Sequence, residues 1–245
     1  NTMAKAAGKK AAALFLAGAL TFGFAGCGGP ETPASAAPGA EEGASVLSRE
    51  ESAAAQEGGD APSMAVVYFS YAENAALPEG ADASASASIQ LYNGETTGNT
   101  GVVAAVIAEA TGAKLLPIRT EEPYPDTYDA TLDQAQEEKN AGARPALASF
   151  AEGVDGCEVV FLGFPNWWGD MPMIIYTFLD EYDLSGKTVA PFNTSGGSGF
   201  SDSLDTIAEM EPEARITEGL SLGSSEAEDC SDTVSGWLDS IGLAE

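Results

Sequence analysis

The chain has 245 residues, of which ten are Lys or Arg, 38 are Asp or Glu and none is His, for a formal charge of −28. Without His there is no Ser-His or Cys-His catalysis and no His-ligated metal site, and so acidic a chain repels phosphate backbones, which argues against nucleic acid as a partner. An apolar fraction of 44% suits a packed globule, with length for one domain of roughly 150–200 residues plus extensions.

The charge is unevenly placed. Residues 1–26 carry three Lys and no acid, so the remainder sets seven basic residues against 38 acidic ones, −31. Met3 reads as an initiator, with Asn1-Thr2 extra. Lys5, Lys9 and Lys10 precede an apolar run from Ala11 to Leu20, and small residues follow to Phe24-Ala25-Gly26-Cys27. A basic start, an apolar stretch and a small-residue cleavage site predict a secretory signal over 1–27. The run falls short of the ~20 apolar residues a spanning helix needs. Small residues ending in Cys resemble a bacterial lipobox. A lipid on Cys27 would make the protein extracytoplasmic and membrane-anchored; the alternative is an ordinary cleaved signal with a free Cys27. Residues 28–62 are dominated by Pro, Gly, Ala, Ser and Glu, with Val46 and Leu47 the only large apolar residues. Such a segment cannot offset its ordering entropy by burial and is predicted to be a disordered tether.

A folded domain over 63–245 then alternates strand with helix. Met64–Phe69 is a buried strand. Val102, Val103, Val106, Ile107 and Ala110 recur at helical spacing between Thr100 and Thr111, and Gly112 ends that helix. Lys114–Ile118 is a second strand, placed near a sheet edge by Pro117. A polar helix covers roughly 127–141. Glu158–Phe164 is a third strand, Met171–Tyr182 a helix with Pro172 in its first turn, and Lys187–Phe192 a fourth strand. Ser201–Met210 is a helix, the stretch Arg215–Leu222 holds a fifth strand, and Glu226–Ile241 is the last helix. Five apolar strands alternating with helices imply a parallel sheet covered on both faces. In such sheets ligands sit beyond the strands' carboxyl ends.

Three loops at those ends carry the informative residues. After the first strand come Ser70-Tyr71, an insertion over 71–97, and then Thr97-Gly98-Asn99-Thr100-Gly101 opening a helix. Hydroxyls and backbone N–H groups at a helix N-terminus suit a phosphate. The absence of a P-loop Lys favours a monophosphate over a triphosphate. The same residues also suit a plain helix cap, with Thr97 or Asn99 as the capping residue. After the third strand comes Pro165-Asn166-Trp167-Trp168-Gly169-Asp170. Its paired indoles must either pack on the core edge or cover a planar ligand. After the fourth comes Thr194-Ser195-Gly196-Gly197-Ser198-Gly199, where backbone can approach a flat or polar ligand closely or simply turn.

Taken in order, VVYFSY, GNT, EEPYP, FLGFPNWWGDMP and APFNTSGGSGF resemble bacterial flavodoxins, in the branch marked by a WWG loop. The resemblance covers Met64 to about Leu222. It implies an α/β flavodoxin-like three-layer sandwich with a five-stranded parallel sheet in order 2-1-3-4-5, and FMN as cofactor. It implies that Ser70, Gly98, Asn99 and Thr100 hold the phosphate. Pro165, Asn166, Trp167, Trp168 and Gly169 would form one wall of the ring site, and Thr194, Ser195, Gly196 and Gly197 the other. The usual first loop is an unbroken S-x-T-G-N-T run; here residues 71–97 interrupt it. Ser84, Ser86 and Ser88 of the insertion either add hydroxyls to the site or lie on a surface excursion.

In such a protein FMN supplies redox chemistry and the chain supplies position and electrostatics. Acidic surroundings disfavour adding negative charge to the ring and predict a lowered reduction potential, with Asp170 beside the paired indoles the first candidate, since charges beyond about 8–10 Å are screened. No residue stands out as an acid–base catalyst; Tyr71 and Tyr124 are core-edge residues first. Cys157 and Cys230 lie outside any CxxC pattern; inert burial and an exterior disulfide are both open. Three functions follow as expectations: a membrane-tethered electron carrier working with a redox partner protein or a small electron acceptor; an NAD(P)H-dependent quinone or nitro-compound reductase; and a flavin-free surface lipoprotein used for interaction. The scarcity of basic residues in the folded part favours the carrier.

Overall fold

A computed structural model describes residues 63–77, 89–148 and 153–244. The expected signal, tether and lipidated Cys27, and Ser84, Ser86 and Ser88, lie outside the described residues.

The strands are β1 (Met64–Tyr68), β2 (Gln90–Tyr92), β3 (Glu95–Thr97), β4 (Lys114–Pro117), β5 (Val159–Pro165), β6 (Thr188–Ser195), β7 (Arg215–Ile216) and β8 (Leu220–Gly223). The helices are α1 (Asn99–Thr111), α2 (Tyr128–Ala141), α3 (Met173–Glu181), α4 (Ser203–Met210) and α5 (Ser231–Ile241). The main sheet runs β4-β1-β5-β6, and β7 and β8 both pair with the far side of β6. Every pairing in it is parallel. With β7 and β8 as two pieces of one fifth strand, this is the expected order 2-1-3-4-5.

Alternating side chains feed the two faces of the sheet. Val66, Tyr68, Val159, Phe161 and Phe192 pack with Val103 and Ile107 of α1 and Val234, Trp237 and Leu238 of α5. Ala65, Val67, Phe69, Val160, Leu162 and Phe164 pack with Ile174, Ile175 and Phe178 of α3 and Ile207 of α4. The near-continuous apolar runs in β1 and β5 follow from burial on both faces. Each fully buried Phe or Ile stabilises the fold by about 1.5–3 kcal/mol, so the sheet is a rigid platform for the loops at its ends. Gly163 leaves room for the ring of its ladder partner Phe192: a Cβ there would lie 2.1 Å from that ring.

Several boundaries differ from expectation. Pro172 caps α3 from outside with extended backbone, and the helix starts at Met173. β6 runs on to Ser195, so Thr194 and Ser195 end a strand, with Thr194 paired to Pro165. Residues 227–229 form a 3-10 turn, and α5 begins only at Ser231. The described part of the insertion contains secondary structure. β2 and β3 make an antiparallel hairpin whose turn residues, Asn93 and Gly94, have φ of 51° and 86°. Both values fit a two-residue hairpin turn, which an Asn-Gly pair favours. Cys157 and Cys230 are buried and free, and they belong to the two opposite core layers, so the disulfide is ruled out.

The chain turns from β1 outward to β4 and then back across to β5, so the loops leaving β1 and β5 diverge. A crevice opens at that point.

Candidate functional site

A cavity of about 460 Å³ lies at the carboxyl ends of β1, β5 and β6. Ser70, Asn99, Thr100, Pro165, Asn166, Trp167, Trp168, Gly169, Thr194, Ser195 and Gly196 all border it. The three loops, up to 126 residues apart along the chain, thus converge on one space.

Gly98 and Gly197 do not border it. Gly98 is the residue before α1 in extended backbone, and its carbonyl accepts the Val102 N–H at 3.0 Å. Gly197 has φ of 123° and gives its N–H to Ser195 Oγ at 3.2 Å. Ser195 Oγ also accepts the Gly199 N–H at 3.0 Å, which stiffens the turn. Ser198 borders the cavity in place of Gly197, together with Tyr71, Tyr128, Leu132 and Ser224. Sequence reasoning missed Tyr128 and Leu132 as cavity-lining residues, although an apolar pair at i, i+4 on an otherwise polar helix was the available signal. Ser224 was also missed. It follows β8 and donates both its N–H and its hydroxyl to Ser195 O, at 3.0 and 3.2 Å.

One end of the cavity combines hydroxyl side chains with the start of a helix, a chemistry suited to an anion. The first turn of α1 contains no acid, and its leading N–H groups have no intrahelical acceptors. Thr100 and Thr194 share a hydrogen bond between their hydroxyls at 2.8 Å, and Gln90 Nε2 donates to Asn99 Oδ1 at 2.7 Å. Ser70 is 1% exposed, and its Oγ is buried with no hydrogen-bond partner. Native proteins rarely leave such a group orphaned; a phosphate oxygen would satisfy it.

The other end is aromatic. Trp167 meets Phe69 and Tyr124 edge to face, with centroids at 5.3 and 5.2 Å. It therefore packs on the core edge and also borders the cavity. Trp168 is 46% exposed. Trp167 and Asp170 exchange backbone hydrogen bonds at 2.9 and 3.1 Å, and the two residues between them, Trp168 and Gly169, have φ of 55° and 72°. The turn suits Gly169 and strains Trp168 by about 1–2 kcal/mol. Neighbours hold it there. Trp168 Nε1 donates to Leu132 O at 3.1 Å, and Lys139 Nζ donates to Trp168 O at 2.7 Å. Asn166 Oδ1 accepts the Gly169 N–H at 3.0 Å, while Asn166 Nδ2 donates to Gly199 O at 2.7 Å, tying the two walls together.

Asp170 is not among the residues that border the cavity. Its carboxylate lies 3.4 Å from Lys139 Nζ and accepts the Tyr176 hydroxyl and the Met171 N–H, both at 2.8 Å. The acid expected to lower a ring's potential is charge-compensated instead. Tyr71 donates to Pro125 O at 2.8 Å, and Tyr124 donates to Glu138 at 2.9 Å. Burial and then Glu138 push the Tyr124 phenol up from its ordinary range, which removes it as an acid.

The family model described as Flavodoxin matches residues 90–241. A candidate flavoprotein from Bacteroides eggerthii aligns at 28% identity with a TM-score of 0.57, covering 74% of this chain and 98% of its own. Another, from Bacteroides uniformis, aligns at 25% identity with a TM-score of 0.56, covering 74% and 99%. A flavoprotein from Lactobacillus acidophilus, solved in complex with FMN, aligns at 19% identity with a TM-score of 0.49, covering 69% and 97%. No curated protein matches the chain.

Proposed function

This chain belongs to the flavodoxin family, and from that premise we propose that it is a membrane-tethered electron carrier of the WWG-loop branch, working outside the cytoplasm. Its cofactor is FMN. The observation that carries the reading is the convergence of the α1 N-terminus, the paired-indole turn and the Thr194–Ser198 turn on one cavity.

In this reading Ser70, Asn99 and Thr100 hold the phosphate, with the N–H groups of α1 and its dipole adding positive potential. Pro165, Asn166, Trp167, Trp168 and Gly169 form one wall of the ring site. Thr194, Ser195, Gly196 and Ser198 form the other. Bound FMN supplies the redox chemistry by accepting and releasing electrons. Trp167 and Trp168 exclude water, and Lys139 keeps the Asp170 charge from acting on the ring.

The cation inventory supports a carrier over a reductase. Arg119 pairs with Glu73, Lys139 with Asp170 and Arg144 with Asp180, and Lys187 donates to the carbonyls of Asp155 and Cys157. Among the described residues, few basic groups are left to recognise a nicotinamide nucleotide's phosphates. The acidic surface suits docking to a basic redox partner. Lipidation of Cys27, with residues 28–62 as tether, would hold the domain at a membrane; among the described residues no helix is long and apolar enough to cross one.

The test is an absorption spectrum of the purified protein followed by NADH and NADPH. Flavin bands that persist after either addition support the carrier, rapid bleaching replaces it with a reductase, and a protein that takes up no FMN removes both. Membrane fractionation of Cys27→Ala tests the anchor, which predicts release into the soluble fraction.

A further inference from the structure

The phosphate end of the cavity is assembled from both sides of an insertion. Ser70 precedes it, and Asn99 and Thr100 follow it. Chain continuity, which fixes these groups in an unbroken loop, is therefore missing, and something else must hold the two halves in register.

Glu73 spans the gap. Its side chain is 8% exposed. Its Oε1 accepts the Thr97 hydroxyl at 2.5 Å, from the far end of the insertion. The Tyr68 hydroxyl, at the end of β1, donates to both carboxylate oxygens at 2.9 and 3.1 Å. Arg119 Nη1 lies 3.1 Å from Oε2 and also donates to the Glu73 carbonyl. The next residue, Asn74, secures the near end: its Nδ2 donates to Ser70 O at 2.9 Å and to Ile118 O at 3.0 Å. Thr97 Oγ1 in turn lies 1.9 Å from where a Cβ on Gly101 would stand. The Glu73–Thr97 bond therefore rests directly on the first turn of α1.

We infer that Glu73 and Thr97 are positioning residues for the phosphate end of the flavin site, closing the insertion so that Ser70 and the α1 N-terminus act as one anion subsite. The inference deepens the FMN-binding reading and rests on it. Arg119 balances the carboxylate, so the clasp puts no net charge beside a bound phosphate. A hydrogen bond to a charged group is among the strong ones, and its loss loosens the phosphate end while leaving the aromatic walls in place.

Riboflavin shares the ring and lacks the phosphate, so it separates the two ends. In the full chain, Thr97→Ala is expected to weaken FMN binding about tenfold while riboflavin affinity stays within about twofold. Thr97→Ser, which keeps the hydroxyl, restores FMN affinity. Glu73→Ala weakens FMN selectively as well, even though it removes a negative charge, provided thermal melting shows it folded; Thr97→Ala stands by itself otherwise. An FMN-to-riboflavin affinity ratio equal to the parent's in Thr97→Ala overturns the clasp. A parent chain that binds neither flavin overturns the FMN-binding reading, and the clasp with it.

Discussion

Replacing Ser70 by Ala tests the phosphate subsite through two effects of opposite sign. Ser70 Oγ is buried and unpartnered, and such a group costs about 1–3 kcal/mol of desolvation with nothing in return. Ala at this position fits with almost no change of shape, so the flavin-free protein gains about 1 kcal/mol. For a domain of this size that raises the melting temperature by roughly 2–4 °C. On the proposed reading, the same substitution deletes a donor to a phosphate oxygen. A lost hydrogen bond to a charged group is about 1.5–3 kcal/mol, and FMN affinity falls by roughly 10–150-fold while riboflavin affinity holds. Calorimetry of the flavin-free protein and fluorescence titration with both flavins read the two effects. A lower melting temperature together with unchanged FMN affinity would refute the reasoning, because the hydroxyl would then be satisfied in the folded chain and unused by the ligand.

Lys139→Met should weaken FMN and riboflavin alike, by about fivefold to tenfold, since Lys139 steadies the Trp168 carbonyl at the ring end and such contacts contribute about 1 kcal/mol; selective loss of FMN in a titration would contradict that assignment. Gly101→Ala should destabilise by about 1–3 kcal/mol in urea unfolding, because the new Cβ meets Thr97 Oγ1 at 1.9 Å. An exposed helix position would instead gain about 1 kcal/mol from that change, so the sign decides. The phenols of Tyr68 and Tyr124 are raised by burial first and then by Glu73 and Glu138. Tyr176 is pushed up to about 12 by burial and then by its hydrogen bond to Asp170. The unfolded chain loses these protons near pH 10, whereas the folded chain keeps them, so their contribution is constant below pH 10 and is lost as pH rises from 10 toward 12. Urea midpoints that stay level across that window would contradict the burial of these rings.

Much of the fold was legible because burial on both faces leaves a strong mark. Met64–Tyr68 and Val159–Pro165 are apolar without alternation, and residues of that kind have few places to be except a covered parallel sheet. Pro117 announced an edge strand, and β4 is one. The β2–β3 hairpin was less visible: its strands are three residues each, and its Asn-Gly turn was the one local signal. In the candidate site, residues that touch the cavity through position on a strand end or helix start, such as Ser70 and Thr194, were readable from topology. Those whose contribution depends on a turn's internal hydrogen bonds were not. Gly197 lies off the cavity because Ser195 Oγ takes its N–H, and Asp170 turns away because Lys139 and Tyr176 hold it. Glu73 carried no signal at all, since one Glu in so acidic a chain stands out only once its three partners are brought together in space.

The most direct measurement is an equilibrium titration of the flavin-free protein with FMN, following quenching of flavin fluorescence. The account predicts saturable binding at one FMN per chain, abolished or strongly weakened when Trp167 and Trp168 are both replaced by Ala in a protein that still melts cooperatively. Flavin fluorescence that stays unquenched at excess protein, or binding indifferent to loss of both indoles, would contradict it.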